Sequence, residues 1–182
     1  LIPDRDIHKL SEGQGHRESF RLLVDAYGGR LYGHIRRLLS SAPDAEDVFQ
    51  NTLLKVWQHL PDFKGESKLY TWLYRIATNE ALLFIAKEKR RVTVSLDDDS
   101  MRAAIAQVHS HADFEGDEIQ ARLLEAVSRL PDKQRLVFML RYFDGLGYDD
   151  ISLILNTSVG GLKANFHHAV KKIERLLTEQ TL

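Results

Sequence analysis

The stretch YDDISLILNTSVGGLKANFHHAVKKIERLL, residues 148–177, decides how this chain is read. It divides into two helices joined by a short polar turn. Residues 149–155 form a compact first helix with Ile151, Ile154 and Leu155 on one side, and Asn156, Thr157 and Ser158 break the pattern. Ser158 is suited to cap the second helix, because its hydroxyl can accept one of the backbone N–H groups that lack an intrahelical partner. In that helix Val159, Leu162, Phe166, Ala169, Val170, Ile173, Leu176 and Leu177 return at three- and four-residue steps, one apolar face at helical period. Gly160, Ala164, His167, His168, Lys171 and Arg175 take the opposite face, flanked by Lys163, Asn165 and Lys172. Small residues at the helix start permit close approach to a surface, while donors and cations further along suit base edges and phosphates. A helix-turn-helix sets the first residues of its second helix into the major groove. An ordinary helical hairpin with a solvated basic face fits the same residues, so the rest of the chain has to decide.

Immediately upstream, Leu123, Leu124, Val127 and Leu130 mark one helix, and Pro131 and Asp132 start another through Arg135, Val137, Phe138, Leu140 and Tyr142. Residues 144–147, DGLG, form a turn; with no preceding strand and no GK after it, the triplet GLG is no phosphate loop. No HExxH, GxSxG or supported carboxylate pair occurs, so nothing argues for an enzyme. Residues 92–118 change character, with DDD at 97–99, a weakly apolar piece near residues 101–108, and then HSHADFEGD. They read as a flexible acidic linker between two helical domains. His109 and His111, like His167 and His168, have no accompanying ligand set, and no metal site is expected.

Further out, residues 44–60, DAEDVFQNTLLKVWQHL, place Ala45, Val48, Phe49, Leu53, Val56 and Leu60 on one helix face and Asp47, Gln50, Asn51, Leu54 and Gln58 opposite. Leu54 sets an apolar side chain inside a polar face. A solitary exposed leucine needs no explanation, but an anchor within a polar rim is also the form of a protein-docking patch. Pro61 ends this helix, and PDFKGESK is a loop with Gly65 at its bend. Residues 69–86 are helical, with Leu69, Leu73, Ile76, Ala77 and Phe84 inward, Tyr70, Thr71, Tyr74, Arg75, Thr78 and Asn79 outward or sideways, and Trp72 at the edge of the stripe. Aromatic side chains beside Arg75 and a basic loop suit stacking with unpaired bases, although Trp72 and Tyr74 can equally complete a core. Glu80 falls near the inward stripe. KEKRR, residues 87–91, closes the block. Residues 7–39 read as two packing helices, with Phe20, Leu23, Val24 and Tyr27 on the first, Gly28 and Gly29 loosening the chain, and Leu31, Tyr32, Ile35, Leu38 and Leu39 on the second.

Charge supports this division. The 182 residues carry a net charge of −1. Residues 1–91 hold 15 Lys/Arg against 12 Asp/Glu, residues 92–118 hold 1 against 7, and residues 119–182 hold 9 against 7. Two mildly basic blocks flank an acidic connector, which implies modest phosphate attraction and DNA binding shared with a larger partner. No run of about eighteen apolar residues occurs and the first residues carry charges, so no membrane insertion and no signal peptide are expected. The absence of cysteine agrees with a cytoplasmic protein, and a start at Leu1 suggests missing native N-terminal residues.

Taken together, DAEDVFQNTLLKVW, FKGESKLYTWLYRIATN, an acidic linker and LPDKQRLVFMLRYFDGLGYDDISLILNTSVGGLKANFHHAVKKIERLL closely resemble bacterial RNA polymerase sigma factors of the extracytoplasmic-function (ECF) group, sigma-70 family, in order and spacing over nearly the whole chain after Ser11. The resemblance implies an all-α fold of two small helical domains: residues 1–91 as region 2, the linker 92–118, and residues 119–182 as region 4. It implies a sigma factor that binds core RNA polymerase and directs it to promoters, with no cofactor. Asp47, Gln50, Asn51 and Leu54 would meet the β′ clamp helices. Phe63, Lys64, Gly65, Ser67 and Lys68 match the loop that receives a flipped-out −10 base, and Tyr70, Thr71, Trp72, Arg75 and Asn79 face the separating strands. Ser158, Gly160, Gly161, Lys163, Ala164, His167, His168, Lys171 and Arg175 would read the −35 element, and region 4 would also meet the β flap. An anti-sigma factor, holding the protein at the inner membrane in some members, is a further implied partner.

Two departures stand out against the family pattern. The recognition helix begins SVGGLKAN, where many members have Thr and Arg at the positions of Gly161 and Asn165, and EALLFIA comes after Asn79 where basic residues are more usual. The alternative readings are a two-domain helix-turn-helix regulator that is not a polymerase subunit, and a helical protein-binding adaptor.

Overall fold

The computed structural model describes residues 15–39, 41–94 and 118–179, and among them the chain is all α-helical. It divides into two compact units, Leu1–Lys87 and Glu88–Leu182.

The first unit opens with α1, His16–Leu38. Two helices are expected over residues 7–39; residues 7–14 lie outside the described residues, and the remainder is one unbroken helix through Gly28 and Gly29. Packing at Gly28 outweighs the poor helix propensity of the two glycines. Gly28 is buried, and a β-carbon there would meet Val24 Cγ1 at 3.4 Å and Phe49 Cζ at 3.8 Å, ordinary van der Waals contact, so this turn is covered by the next helix. Gly29 faces open space. Gly29→Ala is therefore expected to stabilise the unit by about 1 kcal/mol. A urea titration monitored by tryptophan fluorescence checks this, because both tryptophans, Trp57 and Trp72, lie in this unit.

α2, Ala42–His59, starts at Ser41, whose Oγ accepts the Asp44 N–H at 3.4 Å, with Pro43 in the first turn where its missing N–H costs nothing. Ala45, Val48 and Val56 are buried, and so is Thr52, whose hydroxyl donates to the Val48 carbonyl at 2.8 Å. Pro61 does not open a loop at once: Leu60–Asp62 adds a 3₁₀ turn before the chain leaves the helix axis. Gly65 then bends the loop at φ 72.

α3, Leu69–Val94, continues past the expected end at residue 86 through the KEKRR cluster. Leu69, Leu73, Ala77 and Ala81 are buried as the periodicity requires, while Phe84 is only half-buried. Thr71, Tyr74 and Thr78, expected outward or sideways, are also buried. The helix is covered over a wider arc than one apolar stripe, and the extra polar groups are tolerated because they find partners. His34 of α1 is fully buried, its Nε2 hydrogen-bonds Thr78 Oγ1 at 3.0 Å, and its ring meets Tyr74 edge-on at 5.1 Å. Glu80 is explained by Lys55 of α2, whose Nζ lies 2.5 Å from its Oε1.

In the second unit α4 is Glu118–Ser128, and α5, Asp132–Phe138, winds on through a π-helical turn at Met139–Phe143. α6, Tyr148–Leu155, and α7, Val159–Glu179, complete the unit. The core gathers Leu124, Val127, Val137, Phe138, Leu140, Ile151, Leu162, Ala169 and Ile173, with Phe138 stacked between Tyr142 (5.1 Å) and Phe166 (5.8 Å). The expected linker falls largely outside the described residues, which exclude 95–117 and with them His109 and His111.

Candidate nucleic-acid and polymerase interfaces

The helix-turn-helix is built as its residues suggest. Asn156 ends α6 in the left-handed conformation (φ 49, ψ 49), which asparagine tolerates better than most residues. The Ser152 hydroxyl donates to the Thr157 carbonyl at 2.7 Å and braces the turn. Ser158 Oγ accepts the Gly161 N–H at 3.3 Å, so its side chain is engaged in capping α7. Leu162, Ala169, Ile173 and Leu176 are buried beneath the helix. Gly160, Lys163, Ala164, His167, His168, Lys171 and Arg175 are exposed on the other side, and Gly161 is half-buried.

Within that face the partners differ. Lys163 Nζ sits 5.8 Å from the Tyr148 ring centre, and Arg141 lies 5.2 Å from the same ring, so a small cationic cluster collects where α6 meets α7. Asn165 turns its amide back to the Gly161 carbonyl at 2.8 Å, which ties it to its own helix. Arg175 Nε lies 3.6 Å from Glu179 Oε1, an exposed ion pair weak enough to exchange for a phosphate.

In the first unit, Asp47, Gln50, Asn51 and Leu54 all lie on the outer side of α2, and Leu54 is 59 % accessible in their midst. Trp57 extends the patch by one turn, a residue that sequence reasoning missed. Part of its ring packs on His16 (3.8 Å) and Phe20 (5.1 Å), and the remainder is open. Its spacing of three from Leu54 was the available signal.

The loop and the start of α3 separate into two groups. Lys64, Gly65, Lys68, Arg75 and Asn79 are exposed, and Ser67, Tyr70 and Trp72 are half-buried. Phe63 and Thr71 are buried. Phe63 lies against Trp72 at 5.1 Å, so it acts as a floor that fixes the ring of Trp72. Lys68 Nζ is 3.0 Å from the Tyr70 hydroxyl and 5.3 Å from the centre of its ring. The result is an aromatic and cationic rim of Trp72, Tyr70, Lys68 and Arg75 over a packed base, the combination that holds single-stranded bases by stacking and phosphates by charge. Among the described residues no three His, Asp or Glu side chains gather as a metal cluster, and no helix is long and apolar enough to cross a membrane.

Comparison with known proteins fits this division. The family described as Sigma-70 region 2 matches residues 23–91, and Sigma-70, region 4 matches residues 120–173. The RNA polymerase sigma-H factor of Pseudomonas aeruginosa is 33 % identical over 175 residues, covering 90 % of this chain and 89 % of that protein. The ECF RNA polymerase sigma-E factor of Escherichia coli K12 is 30 % identical over 169 residues, covering 88 % and 87 %. Among solved structures, the sigma factor RpoE in complex with the anti-sigma factor NepR from Bartonella quintana matches with a TM-score of 0.75 at 25 % identity, over 88 % of this chain and 98 % of that one. CnrH in complex with the cytosolic domain of CnrY shares the fold, with a TM-score of 0.68 at 21 % identity over 97 % of each chain. With a region 2 unit, a region 4 helix-turn-helix and relatives matched nearly end to end, the chain belongs to the extracytoplasmic-function group of the sigma-70 family, the sigma factors that direct RNA polymerase to promoters.

Proposed function

We propose that the first unit docks on the β′ clamp helices of core RNA polymerase through Asp47, Gln50, Asn51 and Leu54, and opens the −10 element with the rim formed by the 63–68 loop and the start of α3. Lys64, Gly65, Ser67 and Lys68 line the pocket for the flipped base. Tyr70, Trp72, Arg75 and Asn79 face the separating strands, and the buried Phe63 and Thr71 support them from below. Unstacking a base costs about a few kcal/mol, and each base stacked on an aromatic returns roughly 1–3 kcal/mol. The second unit reads the −35 element through α7 and meets the β flap. Lys163, Lys171 and Arg175 bind phosphates and set the register, Gly160, Gly161, Ala164, His167 and His168 face the groove, and Ser158 holds the helix start in place. The protein acts as a regulatory subunit in the cytoplasm and carries no chemistry of its own.

The observation that carries this reading is the α2 face: a 59 % exposed leucine centred in a polar ring, the anchor-and-rim form that a protein partner covers. Transcription in vitro with purified core polymerase and a promoter library tests it. New start sites are expected on adding the protein, and their absence hands the chain to the regulator or adaptor reading. Lys171→Ala is expected to weaken −35 binding by similar factors on all sequences and to reduce the salt slope of holoenzyme binding by about 1, whereas His168→Ala changes base preference.

An anti-sigma factor is the further proposed partner, since both structural relatives were solved with one or with the cytosolic domain of a second protein. A bound inhibitor is expected to abolish transcription by blocking access to core polymerase, measurable as loss of holoenzyme in native gels.

A further inference from the structure

On α3 the stripe that begins at Arg75 and Asn79 continues one turn later into two adjacent exposed leucines, Leu82 (40 % accessible) and Leu83 (61 %), and then Lys87. Positions 75, 79, 82, 83 and 87 share one helix face at three- and four-residue steps. The leucines form the lip of a groove between α2 and α3 whose wall includes Ile76, Asn79, Lys55 and His59. Single exposed leucines are ordinary. A neighbouring pair at a groove, on the very face that carries the cations, is a different arrangement. The acid in the groove wall, Glu80, is already matched by Lys55. Arg75 and Lys87 therefore leave a cation at either end of an apolar patch, about 12 Å before Leu83 and about 6 Å after it along the helix axis.

That charge pattern fits a phosphate chain crossing the helix with a base set down between the cations. Among DNA bases only thymine offers an apolar group on its major-groove edge, the C5-methyl, and apolar side chains are what recognise it. We infer that Leu82 and Leu83 are a specificity element of the promoter-opening surface, receiving the C5-methyl of a thymine in the −10 region. This rests on the proposed placement of α3 against the separating strands. Asn79, one turn before Leu83 and exposed, supplies the hydrogen bonds to an adjacent base edge, so the face reads one base by its methyl and its neighbour by polar contacts.

The test uses holoenzyme assembled from core polymerase and the full chain. Selection from a library randomised across the −10 region identifies the preferred bases, and each preferred thymidine is then replaced by deoxyuridine, which removes the methyl alone. At one position the replacement is expected to weaken open-complex formation about fourfold, the value of one buried methyl. In a variant carrying Leu82→Ala and Leu83→Ala, a change that suits an exposed helix, the ratio between thymidine and deoxyuridine promoters falls to about one at that position. Leu83→Asn is the second variant, expected to lose the thymine preference and gain a polar one. Absence of a methyl effect at every −10 position overturns the inference, and so does an effect that persists in both variants. A variant that loses core affinity with the methyl ratio intact gives the patch to a protein partner instead, which also overturns it. Failure of the underlying reading looks different: holoenzyme then opens no promoter, with thymidine or deoxyuridine alike, and both fall together.

Discussion

Leu54→Asp is expected to weaken binding to core RNA polymerase by about a hundredfold or more while leaving the first unit folded. The free protein already exposes 59 % of this residue, so the substitution removes little intramolecular packing. In the complex the cost has two parts. Losing a buried leucine removes about 1.5–3 kcal/mol of apolar burial, and a carboxylate set at the centre of the patch must shed water without a matched cation. Since each 1.4 kcal/mol is about a factor of ten in affinity, the leucine alone accounts for roughly ten- to a hundredfold. Titration of labelled core polymerase reads the affinity, and far-ultraviolet circular dichroism confirms that the helices persist. Unchanged affinity would remove Leu54 from the interface. Gln58→Ala, at the rim, is expected to change affinity by less than about fivefold, because rim contacts exclude water more than they bind.

The exposure of Leu54 was legible because it falls opposite the centre of the apolar stripe of α2, where an apolar residue is conspicuous in any sequence. The same logic exposed α6, the turn and α7: apolar residues at three- and four-residue steps, a polar break at residues 156–158 and a serine suited to a cap. Ser41 went unread, although Ser-Ala-Pro-Asp carries a capping serine three residues before an acid. What resisted reading was everything set by tertiary partners. Gly28 and Gly29 look like a break until Gly28 is seen buried beside Phe49 of α2. Glu80 looks misplaced until Lys55, 25 residues earlier, meets it. Thr71 and Phe63 look like surface residues of a DNA-binding loop, yet both are buried, one under a widened core and one beneath Trp72. Local pattern reports which face a residue occupies, and burial depends on how wide an arc of that helix its neighbours cover.

His34→Ala is expected to destabilise the first unit by about 3 kcal/mol or more. Removing the imidazole empties a fully buried site between α1 and α3 and strips a hydrogen bond from Thr78, which is itself fully buried. A buried hydroxyl left without that bond loses about 1–3 kcal/mol by itself, and the cavity adds to this. Thr78→Val probes the other side and is expected to cost about 1–3 kcal/mol, because it leaves the imidazole short of the same bond. Combining His34→Leu with Thr78→Val replaces both polar partners by apolar groups, and the pair is expected to cost less than the sum of the two single changes. Urea unfolding monitored by tryptophan fluorescence measures all of these in the unit that holds both indoles. Additive losses would mean that the two residues stabilise the unit independently. The bond also has a directional consequence. Thr78 lies one residue before Asn79 and one turn after Tyr74 and Arg75, so a fixed contact there sets the rotation of α3 about its axis. In the proposed placement of α3 against the separating strands, that rotation sets which way Arg75, Asn79 and the leucines beyond them face. An apolar replacement that restores stability is therefore expected to leave promoter opening slower than the native pair does, because an apolar contact fills the space without fixing the angle.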